Sequence, residues 1–81
     1  MKVGTAPAKV LAANDKRIAY SLVNNSASTI YTGGDDGVTV TSGEPLPAGA
    51  MVSDDDDKED VYAVASVDGL DVRVTEILRR D

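Results

Sequence analysis

The sequence predicts an all-β fold, a small antiparallel β-sandwich or barrel-like domain of about 6–8 short strands. Two observations lead there. Short β-branched runs such as Val38-Thr39-Val40-Thr41 and Val72-Arg73-Val74 alternate with Asn, Gly, Pro and Asp punctuation at close, fairly even spacing. The stretch 17–23 also alternates with the period of two that a half-buried strand requires, with Ile18, Tyr20 and Leu22 on one face and Arg17, Ala19 and Ser21 on the other.

Each element follows in order. Residues 1–8 contain Gly4 and Pro7 and read as an N-terminal arm. Residues 9–13 form a first short strand, and Asn14-Asp15-Lys16 turns the chain, because Asn and Asp side chains bond their own backbone. Residues 17–23 are the clearest strand. Asn24-Asn25-Ser26 turns it, and residues 28–32 are expected to pair back as a hairpin. Gly33-Gly34-Asp35-Asp36-Gly37 is a turn, and residues 38–41 are a β-branched strand. Residues 42–49 are expected to be irregular. Pro45 and Pro47 lack amide donors, which excludes a central strand, and Leu46 between them plugs the core. Residues 50–53 give a short strand, 54–60 a charged loop and 61–67 another strand. Asp68-Gly69 then signals a hairpin into a last strand from 71 to about 78, whose end (76–80) has a short helical tail as its alternative. The organisation is therefore an arm at 1–8, one β domain at 9–78 and a tail at 79–81.

At 81 residues the chain is one domain at most. Its hydrophobic fraction is 42%, but much of that is Ala and Val, and aromatics are only 4%. A chain of this size buries only about 60% of its unfolded surface, so the core is thin. With no cysteine there is no disulfide to reinforce it, and without Cys or His a zinc site is not expected. Small scaffolds lacking such staples often depend on oligomerisation, so a homo-oligomer is expected.

The formal net charge of −6 disfavours nonspecific nucleic-acid binding, where Lys and Arg must neutralise phosphates, and equally an anionic membrane surface. The chain is Asp-rich and Lys-poor, with lysine only at positions 2, 9, 16 and 58. That balance looks like proteins from salt-adapted organisms, in which high salt screens carboxylate repulsion. No run approaches the roughly 20 apolar residues of a membrane span, and residues 1–8 lack the apolar stretch of a signal peptide. Synthesis and assembly in the cytoplasm are expected.

Candidate chemistry is sparse. Asp54-Asp55-Asp56-Asp57-Lys58-Glu59-Asp60 invites a calcium reading, but adjacent aspartates point in different directions and the spaced ligand pattern of an EF-hand is missing. A solvated loop is the expectation. The same stretch contains the enteropeptidase recognition sequence, Asp-Asp-Asp-Asp-Lys, open to cleavage if the loop is exposed. The glycine-rich turn at 33–37 is too short and too acidic to cradle phosphate. Ser21, Ser26, Ser28, Ser42, Ser53 and Ser66 have no histidine to activate them. No catalytic, cofactor-binding or metal-binding residue is assigned, and no enzyme activity or cofactor is expected. Of Tyr20, Tyr31 and Tyr62, at least two are expected in the core, with a subunit contact as the alternative.

One set of residues resembles a known family. The order is Leu11-x-x-Asn14, Arg17, Val23-Asn24-Asn25-Ser26, Ile30-Tyr31-x-Gly33, Val38-Thr39-x-x-x-Gly43-x-Pro45-Leu46-x-x-Gly49, Tyr62-Ala63-Val64, then Val72-Arg73-Val74-x-Glu76. It is similar to the small virion-associated β proteins of tailed bacterial and archaeal viruses, over about residues 10–78. The resemblance implies a small β-sandwich that decorates or connects capsid parts, with no catalytic residues to carry over. The acidic stretch at 54–60 departs from it and would suit a haloarchaeal virus. The expected function is a structural protein of the virion, a decoration or turret component docked on the major capsid protein and on sibling copies. A neck, tail or baseplate position stays open, as does a host-surface binding module.

Overall fold

The computed structural model describes residues 1–55 and 57–79. Eight strands are present: β1 (Lys2–Val3), β2 (Ala8–Leu11), β3 (Arg17–Asn24), β4 (Ile30–Gly33), β5 (Glu44–Leu46), β6 (Met51–Asp54), β7 (Val61–Ala65) and β8 (Leu70–Leu78). They form two antiparallel four-stranded sheets, ordered β1-β8-β3-β6 and β2-β7-β4-β5. No helix occurs among the described residues. The expected small β-sandwich is what the chain forms.

The core lies between the sheets. Leu22 and Val72 of the first sheet and Ile30, Val61, Ala63 and Ala65 of the second are buried together, with Val3, Val10, Leu11 and Leu46 closing the ends. Leu46 does plug the core, from an edge strand. In β5, Pro45 lies opposite Tyr31, and the missing amide is harmless there because no strand lies beyond.

Several expectations are corrected. The hairpin between 17–23 and 28–32 does not form: β3 pairs with β6 and β8, and β4 pairs with β5 and β7. The reason is Asn24. Its side chain is fully buried, and Nδ2 donates to the carbonyls of Ser28 and Leu46, both at 2.8 Å, while Oδ1 accepts from Ser26 Oγ at 2.6 Å. One amide thus fastens the end of the first sheet to β5 of the second, and the chain crosses instead of folding back. Asp68-Gly69 likewise makes a crossing rather than a hairpin, since β7 and β8 lie in opposite sheets. Gly69 still adopts the positive φ of 78° that the turn demands, while Asp68 Oδ1 accepts from the Thr5 amide at 2.9 Å.

Residues 38–41 are not a strand. Val38 is buried, but Thr39, Thr41 and Ser42 bond one another and the local backbone, with the Gly43 amide reaching the Thr39 carbonyl at 2.8 Å. Hydroxyl side chains compete with ladder pairing in this way. Residues 42–49 are not wholly irregular, since they hold β5. Residues 1–8, expected as an arm, are built into both sheets through β1 and the start of β2. The last strand runs to Leu78 with no helical turn, and Arg80 and Asp81 of the expected tail lie outside the described residues. Of the tyrosines only Tyr20 is buried, while Tyr31 and Tyr62 are half-buried.

The alternation in β3 also breaks. Tyr20 and Leu22 face inward as expected, but Ile18 is 47% exposed and Arg17 is 1% exposed. A register shift between Arg17 and Ala19 inserts one extra residue against β8. A bulge of this kind reverses the face of what precedes it.

Candidate functional site

The bulge creates the most elaborate polar arrangement in the molecule. The Arg17 side chain is wholly enclosed. Its Nε donates to Glu76 Oε2 at 2.8 Å, its Nη1 to the carbonyls of Glu59 at 2.9 Å and Asp57 at 3.3 Å, and its Nη2 to the carbonyl of Ala12. The guanidinium also lies 5.6 Å from the ring centre of Tyr20. Among the described residues no buried side-chain nitrogen or oxygen is left without a partner. Arg17 therefore pins the backbone of the acidic loop to the sandwich. The Asn14 amide adds a bond to the Lys58 carbonyl at 2.9 Å, and the Ala13 amide reaches Asp60 Oδ1 at 2.7 Å. The loop expected to be simply solvated is exposed at Asp54, Asp55, Lys58 and Glu59, but Asp57 and Asp60 are half-buried and its main chain is tied to the sandwich. The expectation also covers Asp56, which lies outside the described residues.

Beside this anchor, Tyr20, Thr32, Glu44, Asp54, Asp57 and Asp60 line an open recess of about 230 Å³ at one end of the sandwich. Burial raises the Tyr20 hydroxyl pKa above its ordinary value, and the nearby carboxylates of Asp57 and Asp54 add to that. The carboxylates do not converge: among the described residues no group of three or more His, Cys, Asp or Glu side chains is placed to hold a metal ion. The serines do not share one place. Ser26 is spent on Asn24, Ser42 on Thr39, and Ser21 and Ser53 sit opposite each other on neighbouring strands.

The second candidate surface is the outer face of the first sheet. Register places Met51, Val23 and Arg73 in one row, Ser53, Ser21 and Thr75 in the next, and Ala19 beside Ile77 in a third. Met51 is 65% exposed and Ile77 54%. Among these eight side chains Arg73 alone is charged, and its Nε is held by Asp71 Oδ2 at 2.8 Å. These three rows form a patch low in charge on a chain in which 27% of residues are charged, and the next row of the same sheet, Lys2 beside Asp71, is charged.

Sequence reasoning placed Ala19 and Ser21 on this outer face. It missed that β6 and β8 extend the face on both sides, because that depends on sheet order. It also missed the buried Arg17. Its only signal was a lone arginine heading an otherwise apolar strand.

Comparison with protein-family models, with curated proteins and with solved structures found no match.

Proposed function

We propose that this chain is a non-enzymatic structural protein of a virus particle, docked on the capsid as a decoration or turret component. The observation that carries the reading is the outer face of the first sheet, whose rows of Met51, Val23, Ser53, Ser21, Thr75 and Ile77 hold a single charge. Interface cores are depleted in charge, and the centre of this face has that character, rimmed by Lys2 and Asp71 at one end and by Asp55 at the other. The resemblance of residues 10–78 to virion-associated β proteins supplies the setting. Many copies, each held weakly by such a face, add up to stable attachment.

Quantitative mass spectrometry of purified particles against the major capsid protein tests this. Hundreds of copies per particle support capsid decoration. A ring-like count of six or twelve moves the protein to the neck or tail, and absence from particles overturns the reading.

A further inference from the structure

One edge of the first sheet is unusually bare. β1 covers β8 only at Leu70 and Asp71, with Met1 adding a backbone pair to Val72: the Val72 amide donates to the Met1 carbonyl at 2.8 Å, and the Met1 amine donates to the Val72 carbonyl at 3.2 Å. Beyond that, among the described residues, no strand runs beside residues 73–78 on this side. The hydrogen-bond phase is fixed. The Asp71 carbonyl accepts from the Asn25 amide, on the β3 side, so odd-numbered residues face β3 and even-numbered ones face the open edge. Val74, Glu76 and Leu78 thus point both backbone N–H and C=O outward along about 20 Å of strand. The side chains of this stretch are exposed from Thr75 onward.

The other edges carry the protections that sheets use against strand addition. β2 follows Pro7 and contains a register shift between Lys9 and Leu11. β5 has three residues, one of them Pro45. β6 has four residues and runs straight into Asp54 and Asp55. Residues 73–78 of β8 have no proline and no bulge of their own, and the two charges there are already neutralised within the chain, Arg73 by Asp71 and Glu76 by Arg17.

We propose that this edge is closed by the same edge of a second copy, β8 against β8, antiparallel about a two-fold axis at Thr75. In that register Thr75 faces Thr75, a favourable cross-strand pair. Val74 of each copy exchanges backbone hydrogen bonds with Glu76 of the other, and Arg73 of each lays its stem beside Ile77 of the other. Moving the register two residues towards the C-terminus sets Glu76 against Glu76. Moving it the other way needs the Val72 groups that Met1 already holds. The pairing therefore spans residues 73–77. Met1 of each copy, held on Val72, limits the pairing at Leu78 of the other. The dimer joins two outer faces into one sheet surface six strands wide, β6-β3-β8 from each copy, with β1 flanking the junction, and its existence does not depend on the particle reading.

The chain has no cysteine, so Thr75→Cys introduces a single thiol. A non-hydrogen-bonded antiparallel pair brings Cα atoms to about 4.5 Å, within the disulfide range of about 4.4–6.8 Å. Mild oxidation should convert Thr75→Cys to covalent dimer, while Ser53→Cys, exposed on the same face two strands away, should stay largely monomeric. The unmodified protein should sediment as a dimer in molar salt. Thr75→Lys, which opposes two ammonium groups, should sediment as a monomer with an unchanged circular dichroism spectrum. Sedimentation of the unmodified protein as a monomer at every concentration, or cross-linking of Thr75→Cys no faster than Ser53→Cys, overturns the proposal.

Discussion

Replacing Arg17 by alanine removes a guanidinium bonded to three main-chain carbonyls and one carboxylate inside a sealed space. The Glu76 side chain is 28% exposed and can return to water. The carbonyls of Ala12, Asp57 and Glu59 fare worse, since each unsatisfied buried group costs about 1–3 kcal/mol. Breaking a buried charge arrangement by deleting one partner typically costs about 3–5 kcal/mol, and that is the expected loss here. For a domain of this length total stability is on the order of 4–12 kcal/mol, so the variant should be marginal. Its Tm should fall by roughly 15–30 °C. Thermal and urea melts followed by far-ultraviolet circular dichroism measure this directly. Glu76→Gln, which keeps an acceptor oxygen opposite Arg17, should lose only about 1 kcal/mol. If Arg17→Ala melts within about 5 °C of the parent, the guanidinium is not what holds the loop to the sandwich, and the account of the bulge fails.

Five further outcomes are expected. Asn24→Ala removes the donor to the Leu46 carbonyl and one of two donors to the Ser28 carbonyl, and should cost about 1–3 kcal/mol in urea denaturation, against a much smaller loss for Asn25→Ala at the exposed neighbouring position. Enteropeptidase should cut slowly after Lys58 in the intact fold, because the Lys58 carbonyl is bonded to the Asn14 amide, and markedly faster in Arg17→Ala; equal rates on gels would contradict the pinned loop. The raised Tyr20 pKa gives stability that is fully present below the unfolded value of about 10 and is lost as pH rises through the folded one, so Tyr20→Phe should flatten the alkaline limb of a Tm-against-pH curve. Asp71 has the opposite sign: Asn25 and Arg73 hold its carboxyl far below the usual range, so its contribution persists above about pH 4 and disappears only in stronger acid, a difference Asp71→Asn should reveal. Finally, with a net charge of −6, Tm should rise from low to molar sodium chloride as screening relieves repulsion; a flat response would count against salt adaptation.

The sequence was most legible where local chemistry decides. The strand at 17–23, the edge placement demanded by Pro45 and the inward Leu46 all follow from side-chain period and missing donors, and they stand, while the strand expected at 61–67 ends at Ala65. What failed was partner choice. Asn24 and Asp68 carry turn signals that are real, since the chain does reverse at both, but a turn residue does not say whether the next strand joins the same sheet or the facing one. Thr39 and Thr41 misled for a related reason, because β-branched and hydroxyl residues serve strands and local hydroxyl-capped turns alike. Arg17 was placed outside because strict alternation has no room for an extra residue. The bulge is specified by distant acceptors, the carbonyls of residues 57 and 59, that no local pattern reveals. The outer face was legible only along β3, since its breadth comes from strands far away in sequence.

The sheet order bears on how the chain reaches its native state. Between successive strands only β4 and β5 are neighbours in one sheet, and every other link changes sheet. Neither sheet can therefore grow by zipping hairpins in sequence. Nearly all stabilising pairs close long loops first, and chains of this kind fold in milliseconds to seconds rather than microseconds. A nascent chain lacks β8 until residues 70–78 emerge, and without β8 the long strand β3 has only short β6 beside it. Productive folding is thus delayed until β8 is free to pair, and the first seven strands wait on the eighth.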